Sequence, residues 1–370
     1  MQLLCDLSGM ALLGRSLLFP TLEQLMYGYR EFATSLAFRE GIMKLPHRRQ
    51  FLHLAAGAAA LIALLAFPEP RAWPQGARTI RLVVPYPPGG GIDSLARIMA
   101  EEVGRTQGVV VVVENRPGAG TVIATEAVLR AKPDGNTLLT TVLNSFLIAA
   151  HTRKISFDPL TSFEPICTTG STPPVIVVDA RSPYRSLDDL IRAARAKPGE
   201  LTYALVTGTS LMAGFEMLNR AAGMKMTFVP FAGTAPSVTA VLGGHVTATI
   251  VDYPAAAGQL QAGSLRALAT GSRTRMEWLP EVPTVAELGY EVFDLDLWYG
   301  LIAPKATPKA LIDQLADWFT TSVSRPEVRS KLFAQGIKAG GQCGVPLAAF
   351  LRKQYDEYGR IVREANIKDE

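Results

Sequence analysis

Three consecutive glycines, Gly89, Gly90 and Gly91, stand just before Asp93 in the segment best suited to ligand chemistry. The branched apolar run at 80–84 predicts a buried strand, and apolar residues recur at helical spacing after Asp93. Glycines let backbone N–H groups approach a ligand, and the unpaired donors of a first helical turn favour an anion. The loop is therefore either a cradle for a carboxylate or phosphate or a plain strand-to-helix turn, in which Asp93 complements the helix dipole.

The spacing of these glycines argues against the two common nucleotide-binding loops. A dinucleotide fingerprint needs Gly-x-Gly-x-x-Gly and an acidic residue after the next strand. Glu114 does follow the next predicted strand, at 109–113, so this interpretation is weakened but stays open. A Walker-type phosphate loop is excluded, because no Gly-Lys-Ser or Gly-Lys-Thr follows.

A second strand-to-helix loop runs from Thr207 through Gly208 and Thr209 to Ser210. Thr209 or Ser210 is a good N-cap residue, and free donors beside the cap could hold a second carboxylate. Capping alone explains the same residues equally well. Both interpretations remain open.

Further polar side chains follow two other predicted strands. Asn144 and Ser145 come after the strand at 137–142, at a carboxyl end where α/β sheets bind ligands. Asp252 also follows a predicted strand. Its carboxyl group either takes part in a ligand site or caps a helix before Pro254. We expect Asn144 and Ser145 to face a cleft.

No residue pattern supports catalysis. Ser210 lacks a Gly-x-Ser-x-Gly elbow, because Met212 stands where glycine is needed. His151 and His245 have no nucleophile or third partner in a motif, and they lack metal-ligand spacing. We therefore expect binding without chemistry, no cofactor and no metal.

The N-terminal region resembles an export signal. Arg48 and Arg49 precede an apolar stretch at 52–67, which has the length of a signal h-region and is short for a membrane span. We interpret 43–74 as a twin-arginine-type signal segment and 1–42 as a mis-called extension. A cytoplasmic amphipathic leader is the alternative.

The position of the mature N-terminus stays open. Cleavage after Ala72, cleavage after Ala77 and retention as a membrane tether are the alternatives.

A net charge of +4 with scattered basic residues argues against a nucleic-acid binder. Cys167 and Cys343 lie far apart in sequence, and an exported domain of this size does not need a disulfide, so we interpret both as small apolar residues.

Strand-like runs alternate with helical patterns from residue 78 onward, which predicts parallel sheets covered by helices on both faces. The predicted strands lie at 80–84, 109–113, 137–142, 174–178, 201–206, 227–230, 246–250 and 265–270. The predicted helices lie at 93–105, 122–131, 186–196, 211–222, 235–242, 253–262, 284–288, 308–324, 326–335 and 346–363. A loop is predicted at 156–165 and an irregular stretch at 296–308.

The segment at 83–97 resembles the first ligand loop of the Bug family of periplasmic solute receptors, the substrate-binding proteins of tripartite tricarboxylate transporters. Further markers extend this resemblance from about residue 79 to about residue 358. They lie, in order, at 113–120, 132–139, 157–159, 163–165, 229–236, 242–246, 262–269, 279–284 and 298–301. No single marker is decisive, and the joint order carries the resemblance.

The resemblance implies a fold and a domain organisation. The fold is α/β, of the type II periplasmic-binding-protein kind, with two α/β lobes joined by a two-crossing hinge and the ligand cleft between them. Lobe 1 would comprise 75–173 and 299–370, and lobe 2 would comprise 174–298.

The resemblance also implies a ligand site in which backbone N–H groups and trapped waters hold a carboxylate. Relatives often have histidine where this chain has Met212, and the loop before Met212 is one residue shorter here. The implied ligand-binding residues are Tyr86, Gly90, Gly91, Asp93, Asn144, Ser145, Thr207, Gly208, Thr209, Ser210 and Asp252.

The implied function is a periplasmic receptor that captures a small carboxylate-type ligand for a tripartite tricarboxylate-type transporter. Its expected partners are a small organic acid or related molecule and membrane permease subunits. We expect a monomer that binds no nucleic acid. The alternative is a ligand-sensing domain that signals to a regulator instead of feeding a permease.

Overall fold

The computed structural model describes residues 78–290 and 295–364 of the 370-residue chain. The predicted extension at 1–42 and the predicted signal segment at 43–74 lie outside these ranges. Within them, no helix has both the length and the apolar character needed to span a membrane.

The strands of the described residues form two sheets. In chain order they are β1 (Thr79–Val84), β2 (Val110–Asn115), β3 (Thr137–Val142), β4 (Phe163–Thr172), β5 (Pro174–Asp179), β6 (Thr202–Leu205), β7 (Thr227–Pro230), β8 (Ala248–Asp252), β9 (Leu265–Thr270), β10 (Leu297–Pro304) and β11 (Lys338–Ala339). The first sheet has the order β11-β4-β10-β3-β1-β2, and the second has the order β7-β6-β8-β5-β9.

Helices connect most of these strands. They are α1 (Gly91–Gln107), α2 (Val122–Leu129), α3 (Leu143–Thr152), α4 (Leu187–Ala196), α5 (Ser210–Ala221), α6 (Thr234–Leu242), α7 (Tyr253–Gln261), α8 (Lys309–Ser324), α9 (Pro326–Ala334) and α10 (Gly344–Glu364). The apolar residues Leu95, Met99 and Val103 lie on one face of α1 and are buried, as a helix packed on a sheet requires.

Each sheet has one antiparallel strand inserted among its parallel strands, and in the first sheet the short edge strand β11 also pairs antiparallel, with β4. β10 runs antiparallel between β3 and β4, and β5 runs antiparallel between β8 and β9. The chain passes to the second sheet between Thr172 and Pro174, and it returns with β10, whose Leu297 pairs with Thr172. The two crossings are therefore adjacent, which is the arrangement of a hinge. We call the first sheet with its helices lobe 1, and the second sheet with its helices lobe 2.

Most of the predicted elements are confirmed. The strands at 137–142, 227–230 and 265–270 agree residue for residue with β3, β7 and β9. The predicted helix at 284–288 is wrong, because this segment forms turns. Thr284 and Glu287 exchange hydrogen bonds as in a helix start, but Gly289, with a φ of 86°, ends the turn at once.

The predicted irregular stretch at 296–308 is also wrong, because it contains β10. This strand is buried along most of its length, so it lacks the alternation of a half-exposed strand. Gly300 interrupts its apolar run because a Cβ there would lie 2.8 Å from Leu143. The predicted loop at 156–165 ends earlier than expected, since β4 begins at Phe163.

Candidate functional site

A cavity of about 40 Å³ lies between the two lobes. A cavity of this volume holds about three water molecules. Apolar side chains, among them Ile92 and Leu205, form part of its wall. Its polar side chains are Tyr86, Ser145 and Tyr299 from lobe 1 and Thr209, Thr234, Ser237 and Asp252 from lobe 2.

The glycine loop of lobe 1 is held in place by Asp93. Gly89 N–H donates to Asp93 Oδ2 at 3.1 Å, and Arg97 Nε donates to the same oxygen at 3.0 Å. Asn115 Nδ2 donates to Asp93 Oδ1 at 2.9 Å and to Tyr86 O at 3.0 Å. Burial acts to raise the pKa of Asp93, but the hydrogen bonds from Arg97, Asn115 and Gly89 outweigh it and lower that pKa. Asp93 therefore orders the loop and does not line the cavity.

The first-turn donor of α1 meets a carboxyl group from the other lobe. Gly91 N–H donates to Asp252 Oδ2 at 2.5 Å. A Cβ at Gly91 would lie 2.6 Å from that oxygen and 3.0 Å from Pro254 Cγ, and it would also collide with the Tyr299 hydroxyl. Only glycine permits this approach of the two lobes.

The electrostatics of the cavity shift Asp252 toward its protonated form. Burial raises the pKa of this carboxyl group, although hydrogen bonds from Thr234 and Gly91 act in the opposite direction. Burial likewise raises the pKa of Tyr86 to about 12, and it raises that of Tyr299 well above its ordinary value. No Lys, Arg or His is among the described residues that line the cavity. A negative charge on Asp252 is therefore stabilised by neutral hydrogen-bond donors and not by a cationic side chain of the lining.

The second predicted loop caps a helix at the edge of the cavity. Thr209 is the N-cap of α5, and its hydroxyl accepts from Met212 N–H at 3.4 Å while it donates to Val206 O at 2.9 Å. Ser210 is buried, and its hydroxyl lies 3.4 Å from the Ser145 hydroxyl across the lobes. The capping role is thus confirmed for Thr209, which also lines the cavity.

The remaining predicted residues lie beside the cavity. Asn144 Nδ2 donates to the Tyr358 hydroxyl at 2.5 Å, and Asn144 Oδ1 accepts from Trp298 N–H at 2.9 Å, so this amide joins elements of lobe 1. Thr207 lines a neighbouring cavity, and its carbonyl accepts from Arg153 at 2.8 Å. Gly208 N–H contacts Met212 Sδ at 3.3 Å.

Of the predicted site residues, the structure brings six to the cavity wall, namely Tyr86, Gly90, Gly91, Ser145, Thr209 and Asp252. Sequence reasoning missed Thr234 and Ser237. A signal for Thr234 was available, because it follows Gly233 at a strand-to-helix turn like the one at Gly90. Tyr299 belongs to the marker at 298–301, but it was left out of the predicted site because an aromatic residue beside a crossing packs in a core more often than it lines a cleft. Within the described residues, no three His, Cys, Asp or Glu side chains form a group that could hold a metal ion.

The model of the tripartite tricarboxylate transporter family receptor matches residues 95–367. The protein BugT of Bordetella pertussis (strain Tohama I) is 33% identical to this chain over 316 residues, which are 85% of this chain and 94% of BugT. The chain belongs to this receptor family. The predicted family is thereby confirmed.

Solved structures of similar receptors agree with the fold. The periplasmic binding protein BugD is 29% identical, with a TM-score of 0.76 over 79% of this chain and 99% of BugD. MatC from Rhodopseudomonas palustris, solved with bound malate, is 28% identical, with a TM-score of 0.73 over 77% of this chain and 99% of MatC. Another R. palustris protein, solved with adipate, is 28% identical, with a TM-score of 0.75 over 80% and 99% of the two chains. The predicted two-lobed fold is confirmed, and the receptor is a periplasmic solute-binding protein.

Proposed function

We propose that the receptor captures a small carboxylate in the cavity between its lobes and delivers it to the permease subunits of a tripartite tricarboxylate-type transporter. The observation that supports this most strongly is the hydrogen bond from Gly91 N–H to Asp252. A carboxyl group already accepts from the first turn of α1, so this turn has the geometry for a carboxylate. The malate and adipate bound by similar receptors support the same ligand class.

The lining recognises the ligand through neutral donors. Tyr86, Tyr299 and Thr234 supply hydroxyls, and the glycine loop supplies backbone N–H groups. When Asp252, whose pKa is raised, is protonated, it donates its proton to a ligand oxygen, which removes the repulsion between two carboxylates. Bound waters complete the contacts. The receptor therefore needs no arginine clamp.

Ligand entry requires the lobes to separate, because residues of both lobes enclose the cavity. Several contacts join the lobes across the cleft. They include the hydrogen bond from Gly91 to Asp252, the contact between Ser145 and Ser210, and the hydrogen bond from Arg153 to the Thr207 carbonyl. Opening at the two adjacent crossings breaks these contacts, and closure on a ligand restores them.

A thermal-shift screen tests this proposal directly. The panel comprises mono- and dicarboxylates, aromatic acids, amino acids and uncharged sugars of similar size. A carboxylate at 100 times its dissociation constant should stabilise the receptor by about 2.7 kcal/mol. Stabilisation by sugars but by no acid would contradict the proposed ligand class and leave the fold assignment intact.

The export route is part of the proposal. We infer that Arg48 and Arg49 direct export of the folded receptor by the twin-arginine route, which fits their place before the apolar stretch. Replacement of both by lysine should leave precursor in the cytoplasm. Continued export of the double variant would show that another signal acts. N-terminal sequencing of the periplasmic protein distinguishes cleavage after Ala72 from cleavage after Ala77.

The lobe limits, the set of ligand-binding residues and the monomeric state are likewise proposed. Lobe 1 comprises 75–173 and 299–370, and lobe 2 comprises 174–298, except that Leu297 and Trp298 at the start of β10 belong to the first sheet and therefore to lobe 1. The receptor acts as a monomer, binds no nucleic acid and catalyses no reaction on its ligand. Light scattering of the purified receptor, with and without an acid from the thermal-shift panel, tests the monomeric state.

A further inference from the structure

Cys167 and Cys343 lie side by side in lobe 1, although they are far apart in sequence. Cys167 belongs to β4, and Cys343 directly precedes α10. The two residues face each other as an isolated antiparallel bridge, and both are free thiols here. The fold thus joins the two ends of a chain segment that contains all of lobe 2.

The hydrogen bonds around this pair fix its geometry. Thr168 N–H donates to Gln342 O at 2.8 Å, and Gln342 N–H donates to the Thr168 hydroxyl at 2.8 Å. The backbone hydrogen bond lies beside the cysteines and not between them, which makes them a non-hydrogen-bonded pair. Such pairs have Cα atoms about 4.5 Å apart and side chains close together. Disulfides span Cα distances of about 4.4–6.8 Å, so a bridge fits this backbone.

The two thiols differ in access and in acidity. The buried Cys167 thiol donates to the Cys343 sulfur, and this hydrogen bond together with burial raises the pKa of Cys167 well above its ordinary value. The same hydrogen bond lowers the pKa of Cys343, which is partly exposed. Cys343 is therefore the thiol that an external oxidant reaches first.

We propose that Cys167 and Cys343 form a structural disulfide when the receptor reaches the periplasm, which is an oxidising compartment. The Cys343 thiolate attacks the disulfide of a periplasmic dithiol–disulfide oxidoreductase, and the second sulfur of that enzyme leaves as a thiol. Cys167 then loses its proton to water and attacks the Cys343 sulfur, which expels the first sulfur of the oxidoreductase. Two receptor thiols become one disulfide, and one oxidoreductase disulfide becomes two thiols.

The bridge encloses lobe 2, both crossings and the helices α8 and α9. A crosslink over so long a loop restricts the unfolded chain strongly and thereby stabilises the folded state. It also fixes the start of α10 to β4, the strand that enters the first crossing. Both sulfurs lie within lobe 1, so the bridge leaves hinge closure free and ligand affinity unchanged.

Peptide mapping tests the bond itself. The full chain is exported to the periplasm of a host with an intact dithiol oxidase, and the cells are lysed in N-ethylmaleimide without reductant. Mass spectrometry should show the Cys167 peptide linked to the Cys343 peptide, with both cysteines alkylated only after reduction. Alkylated Cys343 in the unreduced protein would overturn the proposal.

Thermal unfolding tests the consequence of the bond. Reductant should lower the unfolding midpoint of the wild-type receptor by about 5 °C or more. It should leave the midpoint of Cys343→Ser unchanged, and this variant keeps the buried Cys167 in place. A wild-type midpoint that is insensitive to reductant, or a Cys343→Ser midpoint that is equally sensitive, would overturn the proposal.

Discussion

Each lobe brings one buried carboxyl group to the cleft region, and the two groups behave in opposite ways. Asp93 in lobe 1 and Asp252 in lobe 2 are both 4% exposed. The pKa of Asp93 is lowered, because donors that include the Arg97 guanidinium outweigh its burial. The pKa of Asp252 is raised, because burial dominates and its hydrogen-bond donors are neutral. Two carboxyl groups of equal solvent exposure therefore differ in the direction of their pKa shift, downward in lobe 1 and upward in lobe 2.

This difference separates structural order from ligand recognition. The charged Asp93 is bonded to Gly89, Arg97 and Asn115 and keeps the glycine loop in one conformation. Asp252 faces the cavity, and its contact with Gly91 crosses between the lobes. A contact between lobes can be exchanged for a ligand contact, whereas a contact within one loop cannot be lost without disordering that loop.

The largest expected effect comes from Gly91→Ala. The new Cβ would lie 2.6 Å from Asp252 Oδ2, so the lobes cannot close although each lobe still folds. We expect affinity for the acid found in the thermal-shift screen to fall at least about 100-fold, or about 2.7 kcal/mol, by calorimetry.

Two other glycines provide matched controls for this variant. Gly90→Ala should have an intermediate effect, because its Cβ would lie 3.1 Å from Thr234 Oγ1. Gly258→Ala, in α7, should leave affinity unchanged, since a Cβ there meets nothing within 4 Å. Equal affinities for the Gly91 and Gly258 variants would contradict the assignment of the cleft.

Asp93→Asn should destabilise the receptor at neutral pH. Its lowered pKa means that the folded state binds a proton more weakly than the unfolded state. The stability contribution is thus present above the ordinary value of 3.8 and is lost as pH falls through the lowered pKa. We expect a loss of about 1–2 kcal/mol at pH 7 in urea unfolding, and a smaller loss in acid. A loss that stays constant between pH 7 and acid pH would show that Asp93 acts through shape and not through charge.

Asp252→Asn should show the opposite pH dependence. The raised pKa means that the folded state binds the proton more tightly, so this contribution is fully present below 3.8 and is lost as pH rises through the raised pKa. The amide keeps an acceptor for Gly91 N–H and never ionises. The unfolding free energy of the variant, relative to wild type, should therefore increase from acid to neutral pH.

Ligand affinity gives a second measurement on the same variant. Wild-type affinity for a carboxylate should decrease as pH rises through the pKa of Asp252, and that of Asp252→Asn should stay flat over this range. Parallel profiles for the two proteins would show that Asp252 does not titrate in the cleft, and the contrast with Asp93 would then fail.

The sequence predicts most of the fold because surface helices and covered strands leave clear patterns. The face of α1 that carries Leu95 and Met99 shows helical spacing. Elements that are buried on most sides leave no such pattern, and α3 and β10 were missed for this reason. Both pack in the middle of lobe 1, where burial removes the alternation of polar and apolar residues.

The residues of the candidate site also differ in whether local sequence or topology brings them to the cavity. Gly90, Gly91 and Thr209 could be predicted because a strand-to-helix loop fixes their local roles. For Tyr299 the sequence left a cleft-lining role and a core role open, and the antiparallel insertion of β10 decides between them by bringing Tyr299 to the cavity. The pairing of Cys167 with Cys343 likewise depends on topology, because the partners belong to segments on opposite sides of lobe 2 in the sequence.

The smallest expected effect tests whether the second loop is mainly structural. Thr209 caps α5 through Met212 N–H, so Thr209→Ala should lower the free energy of unfolding by about 1 kcal/mol in urea titrations. Thr209→Ser keeps the capping oxygen and should restore most of that loss. If capping is the main role, ligand affinity should change less than about threefold in both variants, which is about 0.6 kcal/mol. A large loss of affinity in Thr209→Ala that serine restores would instead place the Thr209 hydroxyl on the ligand, and lobe 2 would then bind through this loop as well as through Asp252.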